Sequence, residues 1–422
     1  MTDLKKNVPE LRFPGFSEEW ALNNVGDLFD FKNGLNKEKE FFGYGSSIVN
    51  FKDVFNNRGI NTKDLTGKVN VNDKELKNYS VKNGDVFFTR TSEVIDEIGY
   101  PSVILDNPEN TVFSGFVLRA RPKIGIKLVD NLFKRYVFFT TSFRKEMITK
   151  SSMTTRALTS GTAINKMEIK YPSSKNEQQR IGDFFSKLDR QIELEEQKLA
   201  LLEEQKKGYM QKVFSQELRF KDDNGNDYPE WEEKKLSDLG SYSKSYSFSR
   251  DVEGEGKVHH IHYGDIHSKL PSKISDINLL PTIKESKDFE FLQKGDIIFA
   301  DASEDYKDLG KAIMVDIDED NIIAGLHTHV FRPNLQIVSE FLMYYTKTLN
   351  YFKFIKRQGT GISVLGISKK NLSNFVLGLP ERREQQKIGD FFSKLDQQIE
   401  LQGQKIESLK QRKKGLLQKM FV

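Results

Sequence analysis

The chain has no cysteine among its 422 residues, so disulfides, thiol nucleophiles and cysteine zinc sites are excluded. It has no run of about 18 apolar residues, the length needed to cross a bilayer. Its start, MTDLKKNVPE, lacks the apolar core of a secretion signal. The sequence therefore reads as a cytoplasmic protein without a membrane partner. Charge of one sign is also in short supply: 65 Lys and Arg stand against 61 Asp and Glu, a net charge of +4. A surface that grips phosphates must then be a local patch, with acidic residues facing elsewhere. Catalytic motifs are missing too. There is no G-x-x-x-x-G-K-[ST] phosphate loop; Gly254-Glu255-Gly256-Lys257 imitates only its end and reads as a turn. Neither the Asn/Asp-Pro-Pro signature of amino-methyltransferases nor the Pro-Asp pair of the common nuclease core occurs. No residue set requires a cofactor.

What is present is a duplication. Residues 177–194 read EQQRIGDFFSKLDRQIEL and residues 384–401 read EQQKIGDFFSKLDQQIEL, identical at 16 of 18 positions with an offset of 207. The register continues through KKGYMQKVF and KKGLLQKMF. Elsewhere the repeat survives only in outline. Leu11-Arg12-Phe13 returns as Leu218-Arg219-Phe220, Trp20 as Trp231, Gly84-Asp85 as Gly295-Asp296, Ser92-Glu93 as Ser303-Glu304 and Arg121-Pro122 as Arg332-Pro333. Each half is thus a diverged domain followed by a nearly invariant tail, with boundaries at 1–175, 176–216, 217–380 and 381–422. Hydrophobic residues at 37% against 30% charged suit small domains plus a solvated helical part.

The tails predict long helices. Ile181, Leu188, Leu202 and Tyr209 form one heptad line and Phe185, Ile192, Leu199 and Val213 the other; Ile388, Leu395, Leu409, Leu416 and Phe392, Ile399, Ile406, Met420 repeat them. Two polar residues per copy interrupt the seam: Glu195 and Lys206, Gln402 and Lys413. An antiparallel pairing that sets Glu195 against Lys413 and Gln402 against Lys206 also matches Leu188 with Met420, so the polar layers are read as register selectors. The copy of Leu11-Arg12-Phe13 follows the first helix directly, so the amino-terminal segment is expected to continue the second helix, closing a pseudo-twofold ring. A surface helix on its own domain, or a zipper between chains, stays open as an alternative. Two diverged heads on a self-complementary rod suit duplex DNA, whose half-sites on one side lie about 34 Å apart.

The repeated EQQ-x-IGDFFSKLD helices, the Gly-Asp before an apolar strand, the downstream Arg-Pro and the proline before each helix resemble the specificity subunit of type I restriction-modification systems over the whole length. The resemblance implies an α+β fold: two similar target-recognition domains separated by a long antiparallel two-helix coiled coil in a pseudo-twofold circular arrangement. It implies that each domain reads one half of a bipartite, asymmetric site on double-stranded DNA. It also implies partners: two modification (methyltransferase) subunits acting on adenine, and ATP-dependent translocase/endonuclease restriction subunits. Chemistry would belong to those partners, not to this chain.

Strands are expected at 86–89, 102–105, 117–121, 297–300, 312–315 and 328–332, with one helical stretch per domain at 131–148 and 339–355. After the first strand comes a polar loop, Arg90-Thr91-Ser92-Glu93 in one copy and Asp301-Ala302-Ser303-Glu304 in the other. Position is shared and chemistry differs. Arg90 suits a guanine edge, Asp301 or Glu304 a cytosine amine. A second candidate is basic and hydroxyl-rich: Arg144, Lys145, Lys150, Thr154, Thr155 and Arg156 in copy one, Lys353, Lys356, Arg357 and Thr360 in copy two, suited to phosphates. His259, His260, His262 and His267 cluster, and His327 and His329 share a strand face; base or phosphate contact, or a core role, fits them better than a metal. Phe184 and Phe391 flank the seam as docking or core residues. A solitary or type IIB-like methyltransferase, a two-headed protein adaptor and an enzyme with an unrecognised site remain alternatives. The last predicts activity of the purified chain alone.

Overall fold

The computed structural model describes residues 7–285, 288–319 and 321–422; of the amino-terminal stretch read for a signal, residues 1–6 lie outside these. Two units emerge, one holding the chain up to Glu196 together with Gln404–Val422, the other Gln197–Gly403. No helix is long and apolar enough to cross a membrane among the described residues.

Within the first unit a five-stranded sheet runs in the order Phe29–Asn33, Val117–Pro122, Val86–Thr89, Pro101–Ile104, Gly59–Ile60. The second unit repeats it as Gly240–Ser243, Thr328–Pro333, Ile297–Ala300, Ala312–Val315, Lys273–Ile274. The last pairing is parallel in both copies and the others are antiparallel. Central strands are short apolar runs such as Val86–Thr89 and Ile297–Ala300, buried on both faces, so periodicity alone could not have separated them from helix. At the start of each of these central strands lies a part-buried ion pair built from the repeated Gly-Asp and Arg-Pro. Arg121 grips Asp85 through Nε at 2.8 Å and Nη2 at 2.7 Å, and Arg332 grips Asp296 at 2.9 and 2.8 Å. Both aspartates are fully buried or nearly so.

The expected single helical stretches each divide in two: Asn131–Val137 and Thr141–Lys150, Ser339–Tyr345 and Leu349–Gln358. Thr140 and Thr348 are responsible, since their hydroxyls accept the N–H of Phe143 and Tyr351 and so start a new helix. Gly254-Glu255-Gly256-Lys257 is not a turn but part of the strand Glu253–Ile261, which bulges there. Gly256 lies so close to the Ile283 carbonyl that a Cβ would sit 1.7 Å from it.

Lys134 is buried beside the start of the Val86–Thr89 strand, donating to Asn131 Oδ1 at 2.9 Å. Burial lowers its pKa to about 8. Between that value and the ordinary 10.5 the unfolded chain binds the extra proton, so this group's contribution to stability rises with pH across the window and is lost as pH falls to 8. Lys134→Met is therefore expected to be more stable than wild type at pH 7, by about 1–3 kcal/mol. Urea midpoints should show that advantage shrinking towards pH 10; a gap independent of pH would count against a charged, buried Lys134.

The helices are Lys175–Phe214 and Arg382–Met420. In each unit their portions run antiparallel: Asp189 pairs with Lys413 and Glu195 with Lys405 in the first, Lys206 with Asp396 in the second. The expected register is therefore wrong by roughly one heptad. Lys413 does not meet Glu195, and Lys206 does not rely on Gln402, which is itself buried. The reason is reach. A lysine stem carries its ammonium sideways off the seam to the aspartate of the repeated SKLD. That aspartate also accepts the hydroxyl of Tyr136 or Tyr344, each at 2.8 Å, and the lysine lies over the same tyrosine ring. Burial raises both phenol pKa values.

The rest of the invariant motif ties each helix to its own domain. Glu177 accepts Arg12 Nε and Nη2 at 2.6 and 2.8 Å and Trp20 Nε1; Glu384 does the same for Arg219 and Trp231. Gln178 accepts the N–H of Val129 and Asp130 and donates to the carbonyls of Lys127 and Pro172. Gly182 permits close approach, because a Cβ there would meet the Phe133 nitrogen at 2.6 Å. Phe184 packs edge-on against Phe13, and Phe391 against Phe220, so both act in the core. Leu11 N–H donates to Lys419 O at 2.9 Å just as Leu218 N–H donates to Lys212 O at 3.0 Å. The amino-terminal segment thus follows the distal helix as its copy follows the central one.

Candidate nucleic-acid interface

Each unit brings its two candidate segments together through β pairing. Thr91–Ser92 pairs with Ala157–Leu158, which pairs in turn with Ser152–Met153. In the second unit Ala302–Ser303 pairs with Leu365–Gly366, and Thr360 bridges to Gly366. The loop after the central strand and the end of the basic stretch therefore form one surface.

The backbone around Arg90 and Asp301 is held alike. Arg90 N–H donates to Phe116 O and Asp301 N–H to His327 O, while the N–H of Thr159 and of Ile367 donate to their carbonyls at 3.0 and 2.9 Å. On this common frame the side chains differ. Arg90 spends one amino group on the Gly115 carbonyl at 3.0 Å and stays half-buried. Asp301 faces two imidazoles, His327 Nδ1 at 3.1 Å and His329 Nδ1 at 3.4 Å. His329 Nε2 lies 2.9 Å from the Ile367 carbonyl, which accepts only, so that nitrogen must carry a proton. His327 has a φ of +54°, a left-handed conformation uncommon for a residue with a Cβ. At the matching position Phe116 is 67% exposed, an aromatic that the sequence reading missed because one phenylalanine among 32 carries no local mark of exposure.

The profile of the type I restriction modification DNA specificity domain matches this chain twice, over residues 17–204 and 228–411. The chain belongs to that family. Over 199 residues it is 31% identical to the type I restriction enzyme HindI specificity subunit of Haemophilus influenzae, a stretch covering 46% of this chain and 41% of that one. It thus spans under half of that relative. With the putative type I restriction enzyme MjaX specificity subunit of Methanocaldococcus jannaschii it shares 22% identity over 437 residues, 98% of this chain and 95% of the other. The crystal structure of the type I restriction-modification system S subunit from M. genitalium has the same fold, with a TM-score of 0.58 at 18% identity over 98% of this chain and 99% of that one. The role that the family's name describes is recognition of DNA, not catalysis.

The two specificity domains use their candidate residues unequally. Ser92 and Ser303 are buried, and their hydroxyls accept the N–H of Val94 and Asp305 as turn formers. Arg144 is spent on the carbonyls of Gly99 and Asp96 and lies over the Tyr100 ring; burial lowers its pKa. Lys150 is held by Glu146 and the Lys166 carbonyl, each at 2.6 Å. Thr154, Thr155 and Arg156 stand exposed at the hairpin tip, with Arg156 3.6 Å from Glu93. Lys353, Lys356, Arg357 and Thr360 are exposed as well. Of the histidine cluster, His259 meets the Leu280 carbonyl at 3.0 Å, His262 caps the helix Tyr263–Ser268, and His260 is buried. Among the described residues no three His, Asp or Glu side chains form a group able to hold a metal.

Proposed function

We propose that this chain is the DNA-specificity subunit of a cytoplasmic type I restriction-modification complex. Each specificity domain reads one half of a bipartite, asymmetric duplex site, the paired helices hold the half-site spacing, and two adenine-methyltransferase subunits and restriction subunits dock on the chain. One observation carries this reading: both domains keep the same backbone bonds around Arg90 and Asp301 while changing the side chains there, from a cation beside Phe116 to a carboxylate beside two imidazoles. A shared frame with altered donors and acceptors is what reading different bases requires. Arg90 and Thr91, and Asp301 and His327, are assigned to base edges. Thr154, Thr155 and Arg156, and Lys353, Lys356, Arg357 and Thr360, are assigned to phosphates; the spent Arg144 and Lys150 position their neighbours.

The test is binding by the chain assembled with a methyltransferase subunit. A duplex with the methylated sequence should be retained in preference to scrambled competitor; absence of any preference would refute the reading. Within that assay Arg156→Gln is expected to weaken binding to all duplexes alike and to lower the slope of log K against log salt by about one. Arg90→Ala should instead relax discrimination at one base pair, by about 1–3 kcal/mol.

A further inference from the structure

In the first unit a cavity of about 480 Å³ opens where the paired helices meet the domain. Four cationic side chains line it, Arg58, Lys410, Lys413 and Lys414, with Asp189 the one carboxylate among its lining residues. Asp189 is already engaged by Lys413 and by the Tyr136 hydroxyl. Lys410 is met by Glu196 at 2.6 Å. Arg58 stacks on Phe139 with its carbon 4.4 Å from the ring centroid, and its buried Nη1 has no hydrogen-bond acceptor among the described residues. A buried guanidinium nitrogen left open is costly, and two hydroxyl residues, Thr140 and Thr141, line the same space.

We propose that this cavity binds a phosphate group. Its donors outnumber what the two oxygens of a carboxylate can accept, whereas a tetrahedral oxyanion can be shared among Arg58 and the lysines as positive charges around it. Burial, together with the charge of Arg58, depresses the pKa of Lys413, and burial that of Arg58, as expected where cations outnumber acids. The second unit supplies an internal control. Its corresponding cavity, around Lys206 and Asp396, is lined by four lysines and four acidic residues, with pairs such as Lys273–Asp316 at 2.9 Å. That cavity is balanced and has no excess charge for an anion. One phosphate per chain follows.

Calorimetric titration of the full chain with inorganic phosphate at constant ionic strength tests this. A single saturable site is expected, weakened about tenfold by Arg58→Gln and left unchanged by Lys273→Gln in the balanced cavity. Lys414→Gln alters an exposed residue and should weaken binding severalfold even if Arg58→Gln fails to fold. No saturable binding, or binding by the Arg58→Gln and Lys414→Gln chains as tight as that of the unaltered chain, would overturn the site. The titration uses no DNA, so it can succeed where the DNA-reading assignment fails. A second arm identifies the source. If Arg58→Gln lowers the salt slope of duplex binding by about one, the phosphate belongs to the DNA backbone; an unchanged slope with lost phosphate binding assigns it to a free phosphate or phosphorylated small molecule.

Discussion

Glu177→Ala is expected to destabilise the first unit by about 3–5 kcal/mol, the range for removing one member of a buried ion pair. Glu177 is 1% exposed and accepts three donors, two from Arg12 and one from Trp20 Nε1. Its loss strands a guanidinium that is only 11% exposed and whose Nη1 already lacks a partner among the described residues. Trp20 is buried in the main core of the unit, stacked edge-on against Phe133 and Phe421, so its orphaned indole N–H cannot turn to solvent without opening that core. Glu384→Ala removes the equivalent clamp, but Arg219 is 21% exposed and water can replace part of what is lost. The smaller effect is expected there. Urea unfolding of both variants checks the order: a loss under about 1 kcal/mol for Glu177→Ala, or a larger one for Glu384→Ala, would show that the repeated glutamate is not the fastening described.

That clamp shows how far the sequence could be read. Leu-Arg-Phe, the tryptophan and the Glu-Gln-Gln are visible as repeats, and the six expected strands and the helix pair lie within a few residues of their places, whereas outer strands such as Phe42–Val49 and Glu253–Ile261 carry no such mark. Their joint purpose was not visible, because Arg12 and Glu177 lie 165 residues apart and no local pattern records a long-range pair. Heptad lines told which residues face the seam but not which layer meets which. A register that sets a polar seam residue directly opposite each seam lysine fails because the lysines reach Asp189 and Asp396, one position off the seam. Both halves of the candidate interface were legible separately, from charge, hydroxyls and glycine. Their union through Ser92–Ala157 and Ser303–Leu365 pairing was not, since pairing register depends on tertiary packing. Arg144 and Ser92 mark the remaining limit: composition cannot distinguish a polar group that faces solvent from one that satisfies the backbone of its own fold.

Replacing residues 217–380 with the matching domain of another specificity subunit is expected to change one half of the methylated sequence completely and leave the other half untouched. Physical independence of the parts is the reason. The second unit has its own buried clusters, one around Phe299, Phe341 and Tyr351 and another around Ile298, Ile313 and Val330. The first has a separate one around Phe88, Phe133 and Phe143. The graft would be received by groups that do not vary: Glu384 for its arginine and tryptophan, Gln385 for the backbone at Val338, Asp396 for its tyrosine. An incoming domain that lacks those partners should fail to fold on the helices, which is a separate outcome from misreading. Sequencing of the methylated sites separates the cases. A change in both half-sites, from a graft whose helices and first domain stay folded, would mean that reading is shared between the domains, and the two-headed assignment would fall.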